Sequence, residues 1–386
     1  MQYRKFGKLD VQISALGFGC MRLPVIDGKS GNIDQAEANR MIRHAIDHGV
    51  NYIDTAYGYH EGTSETAVGK ALQDGYREKV NLATKLPVWL VNETADFDKL
   101  LNEQLSRLQT DHIDFYLMHA LHRDSWRKVV DLGLLQRAEA ALADGRIRHI
   151  GFSFHDKLEV FKEIVDGYDK WDFCQIQYNY MDIENQAGTE GLRYAASKGL
   201  GVVIMEPLLG GKLARTIPAL TPIWETAAVK RSSADWALQW LWNQPEVSLL
   251  LSGMSTMQQV EENLASAAKS GVGTLREEEA TLIASVREKL KAISPIPCTA
   301  CEYCLPCPNG VAIPRNFAVY NEGAMYNDAD NARGAYKRWI PDEAKAANCI
   351  QCQECESKCP QKIAISDWMP VVEEVLGLGR EYVMHP

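Results

Sequence analysis

The spacing of apolar and polar residues changes period along the chain. Residues 3–14 alternate, with Tyr3-Arg-Lys-Phe6 and Val11-Gln-Ile-Ser14 on either side of a Gly7-Lys-Leu-Asp10 turn, which predicts a short hairpin. From Ala15 onward, short apolar runs exchange with segments of helical spacing. The runs are Ala15–Gly19, the stretch around Tyr52 and Ile53, Val80–Lys85, Ile113–His119, Ile147–Ser153, Phe173–Tyr178, Gly201–Glu206 and Ser248–Gly253. A helix from Asp34 carries Ala38, Met41, Ile42 and Ala45 on one face and stops at His48-Gly49. Others are expected over 64–74 with Ser64 as N-cap, over 96–108 with Leu101, Leu105 and Leu108 aligned, over 130–143, and from Ser255 with Val260, Leu264 and Ala267 on one face.

Eight such alternations imply an α/β fold with a parallel sheet, and ~270 residues is the size of a closed (β/α)8 TIM barrel. An open doubly wound sheet is the competing reading. It would carry a glycine-rich turn after its first strand, but Gly17-Phe-Gly19 is followed by Cys20-Met-Arg. One more helix is expected over 277–293, and Ser294-Pro-Ile-Pro297 breaks it. The boundary therefore falls between a barrel over 1–294 and a small C-terminal domain over 295–386, with short helices across 308–348.

Composition narrows the function classes. The net charge of −10 is spread without a basic stripe, which argues against nucleic acid as a partner. No apolar run reaches ~18 residues, so no membrane span is expected. The start, Met1 to Lys8, has no hydrophobic signal region, and the chain reads as cytoplasmic. Of 10 cysteines, only Cys20 and Cys174 precede Cys298, and the rest crowd between Cys298 and Cys359. In a cytoplasmic chain that grouping reads as metal or cluster ligation and not as disulfides. Cys174 reads as a buried apolar residue, and Cys20 as a residue that could line a pocket.

The chemistry gathers where apolar runs end. Asp54, Lys85 and His119 close three successive strands, and Tyr59 lies in the loop beyond the first of them. Taken singly, each has an ordinary reading: a turn-forming Asp, a solvated Lys, a structural His, a surface Tyr with Tyr57 as competitor. Taken together at strand ends, a carboxylate, an ammonium, a phenol and an imidazole form a proton-handling set.

Asp54-Thr-Ala-x-x-Tyr59, Gly62-x-Ser-Glu65, Lys85 and His119 together resemble the catalytic tetrad of the aldo-keto reductases, and the resemblance runs over residues 1–270. It implies that Tyr59 gives a proton to a carbonyl oxygen, that Lys85 lowers the phenol pKa, that Asp54 holds Lys85, and that His119 orients the oxygen. It also implies a nicotinamide cofactor. Ser153 and Gln175 would hold the carboxamide, and the loop with Leu208, Gly210 and Lys212 would cover the pyrophosphate. Gly253 and Ser255, with Gln259, Glu262 and Asn263, would lie around the adenosine. Four positions depart from the family: Phe154 replaces an Asn, Met205 an aromatic, Gly253 a Lys and Gln259 an Arg. The last two remove cations from the site that selects NADP, so NADP or NAD stays open, with Lys212 as another cation for a 2′-phosphate.

The tail resembles a two-cluster bacterial ferredoxin, through Cys298-x2-Cys301-x2-Cys304-x2-Cys307-Pro308 and Cys349-x2-Cys352-x2-Cys355-x3-Cys359-Pro360. The resemblance implies two [4Fe–4S] clusters held crosswise: Cys298, Cys301, Cys304 and Cys359 on one, and Cys349, Cys352, Cys355 and Cys307 on the other. Two zinc sites, each held by four thiolates, are the alternative. The resulting expectation is an oxidoreductase interconverting a carbonyl and an alcohol, a small-molecule substrate, with clusters that relay electrons to a redox partner protein. Hydride transfer moves two electrons whereas a cluster exchanges one, and no flavin fingerprint is present to bridge them. The alternative is a redox-sensing or binding module whose clusters are structural or contact a partner. A pure electron carrier would leave the tetrad unexplained.

Overall fold

The computed structural model describes residues 1–298, 300 and 302–384. Strands β1 (Tyr3–Lys5) and β2 (Gln12–Ser14) pair antiparallel as the expected hairpin. Eight strands then close a parallel barrel in the order β10-β3-β4-β5-β6-β7-β8-β9. They are β3 (Leu16–Gly19), β4 (Tyr52–Asp54), β5 (Asn81–Leu86), β6 (Ile113–Leu121), β7 (Ile147–Phe154), β8 (Phe173–Gln177), β9 (Gly201–Met205) and β10 (Leu249–Gly253). β10 pairs with both β3 and β9, so the sheet has no free edge and the open doubly wound alternative is excluded.

The hairpin plugs one end of the barrel. Phe6 is fully buried and meets Phe115 edge-on at 5.0 Å and Phe173 at 5.7 Å. Gly201 makes room for it, because a Cβ there would lie 2.6 Å from the Phe6 ring. Outside the barrel, the helices bury a continuous apolar layer against the strands, including Ile42, Val68, Leu101, Phe161, Leu192 and Leu241. The helix over Gln35–Asp47 is capped by Asp34 and stops at Gly49, whose φ is +95°.

Three local expectations change. Thr63, not Ser64, occupies the N-cap of the helix Ser64–Ala71, because the Ser64 hydroxyl is engaged inward with the Cys20 carbonyl oxygen at 3.0 Å and Thr55 Oγ1 at 2.9 Å. The helix expected over 130–143 is two helices, Arg123–Asp131 and Leu134–Ala143, separated at left-handed Gly133. The last barrel helix spans Met257–Ala268 and is capped by Thr256, not entered from Ser255.

The chain divides into two compact units. One comprises residues 1–210 and 231–280, the other residues 211–230 together with 281 onward. The second unit has its own apolar core, with Ile296, Phe317, Tyr320, Tyr336, Trp368 and Met369 fully or nearly buried. Its main helices are Ile313–Met325, Ala329–Trp339 and Ile365–Val372. Segment 211–230 is fastened within this unit by Lys212 to Glu322 at 2.7 Å and Arg215 to Asp328 at 2.9 Å. Among the described residues no helix is long and apolar enough to cross a membrane.

Candidate active site and cysteine cavities

Asp54 is the last residue of β4 and stands opposite Ala83 of β5. Strand alternation then turns Thr84 to one face and Lys85 to the other. The Thr84 hydroxyl donates to buried Glu65 at 2.7 Å, and Gln104 Nε2 joins them with bonds to Glu65 at 2.7 Å and to the Lys85 carbonyl oxygen at 3.0 Å. On the opposite face, the Lys85 ammonium is fully buried and donates to Asp54 Oδ1 at 2.7 Å, Asp54 Oδ2 at 2.8 Å and the Thr55 carbonyl oxygen at 2.8 Å. Its donors are thus used without any ligand.

Tyr59 lies beside this pair, with its ring centroid 5.0 Å from Lys85 Nζ and 6.2 Å from the His119 ring centre. The next two residues, His60 and Glu61, are left-handed at φ 51° and 55°. His60 fixes that turn: Nδ1–H donates to the Ser30 carbonyl oxygen at 2.8 Å, and Nε2 accepts from the Leu23 amide at 3.1 Å. Tyr57 is held elsewhere. Its hydroxyl donates to Glu103 at 3.3 Å, and Arg107 covers its ring at 4.0 Å.

Burial raises the Tyr59 phenol pKa, Lys85 pulls it down as the sequence reading expects, Asp54 pushes it back up, and the balance lies above the ordinary tyrosine value because burial outweighs the cation. Burial works against the Lys85 ammonium too, but Asp54 and Tyr59 together hold its pKa above the ordinary value. The imidazole of His119 is pushed far below its usual range by burial, then by Lys85 and His155, and so is neutral near pH 7. Its Nδ1 is buried without a hydrogen-bond partner among the described residues. Cys20 is also buried beside Asp54 and Lys85, and burial raises its thiol well above the usual range.

Ser153 and Gln175 are register partners on β7 and β8. Ser153 Oγ accepts from the Ala120 amide at 2.8 Å, which leaves its own O–H to donate. Gln175 Nε2 rests on the Met205 sulfur at 3.6 Å, while Gln175 Oε1 is buried with no partner among the described residues. Orphaned acceptors of this kind are what a carboxamide N–H would satisfy, so these residues fit a nicotinamide. Phe154 faces away and packs on Phe161 at 5.1 Å. Leu208 and Gly210 follow β9, whereas Lys212 belongs to the second unit and is paired with Glu322. At the end of β10, the Ser255 amide donates to Gln259 Oε1 at 2.7 Å, Asn263 Nδ2 donates to Ser252 Oγ at 3.0 Å, and Glu262 accepts from Gln258 at 2.7 Å.

Sequence reasoning missed several neighbours. Trp89 is half exposed and stands 5.0 Å from the His119 ring. Gln104 and His60 buttress Lys85 and Tyr59, and only the local spacing of Gln104 on a helix face could have hinted at burial.

In the second unit the thiols surround two separate cavities. One is lined by Cys307, Cys349, Cys352 and Cys355, with Val311, Ile313 and Ser366. The other is lined by Cys298, Cys304 and Cys359, with Ile313, Phe317 and Ile363. Cys301 lies outside the described residues. Among those described, no three His, Cys, Asp or Glu converge tightly enough to hold a single metal ion. Thiols spread around a cavity suit the corners of an iron–sulfur cube better than one tetrahedral zinc.

Comparison with known proteins bears on both regions. Residues 15–288 match the Aldo/keto reductase family, and residues 297–364 match a 4Fe-4S dicluster domain. An L-galactose dehydrogenase of Arabidopsis thaliana is 27% identical over 320 residues, covering 76% of this chain and 97% of that protein. An NADH-specific methylglyoxal reductase of Escherichia coli is 26% identical over 335 residues, covering 74% and 98%. The holo form of an aldo-keto reductase from Bacillus halodurans superposes with a TM-score of 0.62 at 28% identity, covering 74% and 96%. The chain therefore belongs to the aldo/keto reductase family, as an NAD(P)-dependent oxidoreductase whose barrel is followed by a 4Fe-4S dicluster domain.

Proposed function

We propose that this protein interconverts a carbonyl and an alcohol, with Asp54, Tyr59, Lys85 and His119 as the catalytic set. The observation that carries the reading is the buried Lys85 ammonium, bonded to Asp54 and Thr55 beside Tyr59. In reduction, the substrate oxygen accepts hydrogen bonds from the Tyr59 hydroxyl and from neutral His119. A nicotinamide held by Ser153 and Gln175 would supply the hydride that the carbonyl carbon receives. The C=O π bond breaks, the oxygen gains negative charge, and it takes the Tyr59 proton. Lys85 then stabilises the phenolate until solvent reprotonates it. A phenol whose pKa is raised keeps its proton until that moment, as a donor must. Ser153 and Gln175 would hold the carboxamide, with Leu208, Gly210, Gly253, Ser255, Gln259, Glu262 and Asn263 along the rest of the dinucleotide. L-Galactose and methylglyoxal, named for the relatives, are the first substrates to try.

For the tail we propose two [4Fe–4S] clusters with crossed ligation: Cys298, Cys301, Cys304 and Cys359 on one, Cys349, Cys352, Cys355 and Cys307 on the other. The lining of the two cavities supports the crossing, since Cys359 lines the cavity of Cys298 and Cys304, and Cys307 that of Cys349. The division of labour follows a boundary at Ser294, with the clusters passing single electrons to a partner protein. A structural role is the second reading. It is favoured by the presence of Cys304 and Cys355 within the apolar core of the unit.

The test of the acid is direct. Tyr59→Phe should lower kcat by at least ~10²-fold while leaving nicotinamide affinity nearly unchanged. Tyr57→Phe, which removes only the Glu103 bond, should retain turnover. The reverse outcome would show that the acid is misassigned.

A further inference from the structure

We propose that Arg22 binds a phosphate of the nicotinamide dinucleotide and replaces the cations that Gly253 and Gln259 do not supply. The proposal rests on the nicotinamide reading above. The turn Cys20–Arg22 follows directly on β3, and Gly19 at the end of β3 is the register partner of Gly253 at the end of β10. The Arg22 side chain runs over Gly253. A Cβ at position 253 would lie 2.8 Å from Arg22 Cγ and 3.1 Å from Arg22 Cβ. Arg22 and a lysine at position 253 therefore compete for the same space, and the glycine makes room for the arginine stem.

The backbone around Arg22 is fixed on both sides. The Ser255 hydroxyl donates to the Arg22 carbonyl oxygen at 2.8 Å, and the amide of the next residue, Leu23, donates to His60 Nε2 at 3.1 Å. Both anchors belong to elements of the site: Ser255 to the segment after β10, His60 to the turn that carries Tyr59. The side chain, by contrast, is exposed, and among the described residues no carboxylate pairs with its guanidinium. A pinned backbone with an uncommitted planar cation suits a phosphate, whose oxygens accept two parallel N–H bonds. Lys212, the other cation considered for this task, is already committed to Glu322.

The test uses the full-length protein with its clusters, titrated with NADPH and with NADH and followed by nicotinamide fluorescence. Arg22→Met should weaken binding on the order of tenfold, the loss of one charge-assisted contact. Equal loss for the two cofactors assigns Arg22 to the pyrophosphate, and loss for NADPH alone assigns it to the 2′-phosphate; either supports the proposal. Wild-type affinity should also fall with added salt more steeply than that of Arg22→Met. Gly253→Ala, which crowds the arginine stem, should weaken the same cofactor or cofactors. Unchanged affinity in Arg22→Met overturns this proposal alone. A wild-type protein that binds neither cofactor overturns the nicotinamide reading, and this proposal with it. Arg22 is on the surface, and an unchanged urea midpoint would show that the variant is folded.

Discussion

The tetrad and the cysteine cavities are built on opposite plans. At the barrel's strand ends, the charged groups satisfy one another: Lys85 spends its donors on Asp54 and Thr55, and the strand behind it is braced by Glu65 and Gln104. In the second unit, the thiols stand apart from one another around two cavities. Under the proposed function, the first site would be preorganised for the reacting oxygen and the cofactor. The second shares its lining with the apolar core of the unit, through Val311, Ile313, Phe317 and Ile363, so a group bound there would couple to folding. One chain thus carries a site whose charged groups pair with one another and a site whose thiols are spread around a cavity.

The largest effect that would sharpen this contrast is cluster removal. Iron chelation under reducing conditions should unfold the second unit, lowering helical circular dichroism and exposing Trp368 to quencher, while the barrel keeps its own cooperative transition. A single unchanged transition after complete iron loss would break the comparison.

A smaller effect is expected at the tetrad. Asp54→Asn leaves the buried ammonium without its carboxylate and should cost about 3 kcal/mol of stability, read from urea midpoints. It should also remove the support that holds the Lys85 pKa up. If Asp54→Asn is as stable as wild type, the pair is not the preorganising element.

The smallest is a pH dependence. The folded-state pKa of His119 is depressed, as is that of His155, both by burial first. Their contribution is present above the unfolded histidine value near pH 6.5 and is lost as pH falls below it toward the folded values, because the unfolded chain then binds protons that the folded one refuses. Stability should therefore decline as pH falls below about 6.5, and His119→Gln should flatten that slope. A slope unchanged by the substitution would mean that other groups set it.

Much of the barrel is legible in the sequence because polar residues interrupt apolar runs near strand ends, which is how Asp54, Lys85 and His119 stand out, whereas Ser153 and Gln175 emerge only through the family resemblance. What failed depended on depth or on distant partners. Ser64 looks like a cap from its neighbours, but its hydroxyl turns inward to Cys20 and Thr55. Acidification of Tyr59 by Lys85 is the natural expectation, yet burial outweighs the cation, and no local spacing encodes burial of that degree. His60 works through Ser30 and Leu23, residues 30 or more positions away in sequence, and Arg22 lies over a glycine at position 253 that only closure of the barrel brings beside it.

The fastening of segment 211–230 by Glu322 and Asp328 bears on how this chain was assembled and how it can be taken apart. A barrel gene joined end to end with a ferredoxin gene would leave a seam at one point. Here a stretch from between β9 and β10 has surrendered its lysine and arginine to acidic residues encoded more than a hundred codons later. A stop codon placed at the Pro-rich break would therefore strand Lys212 and Arg215 without their counter-charges. Segment 211–230 and the residues from 281 onward are thus held in one unit by paired charges that are far apart in sequence.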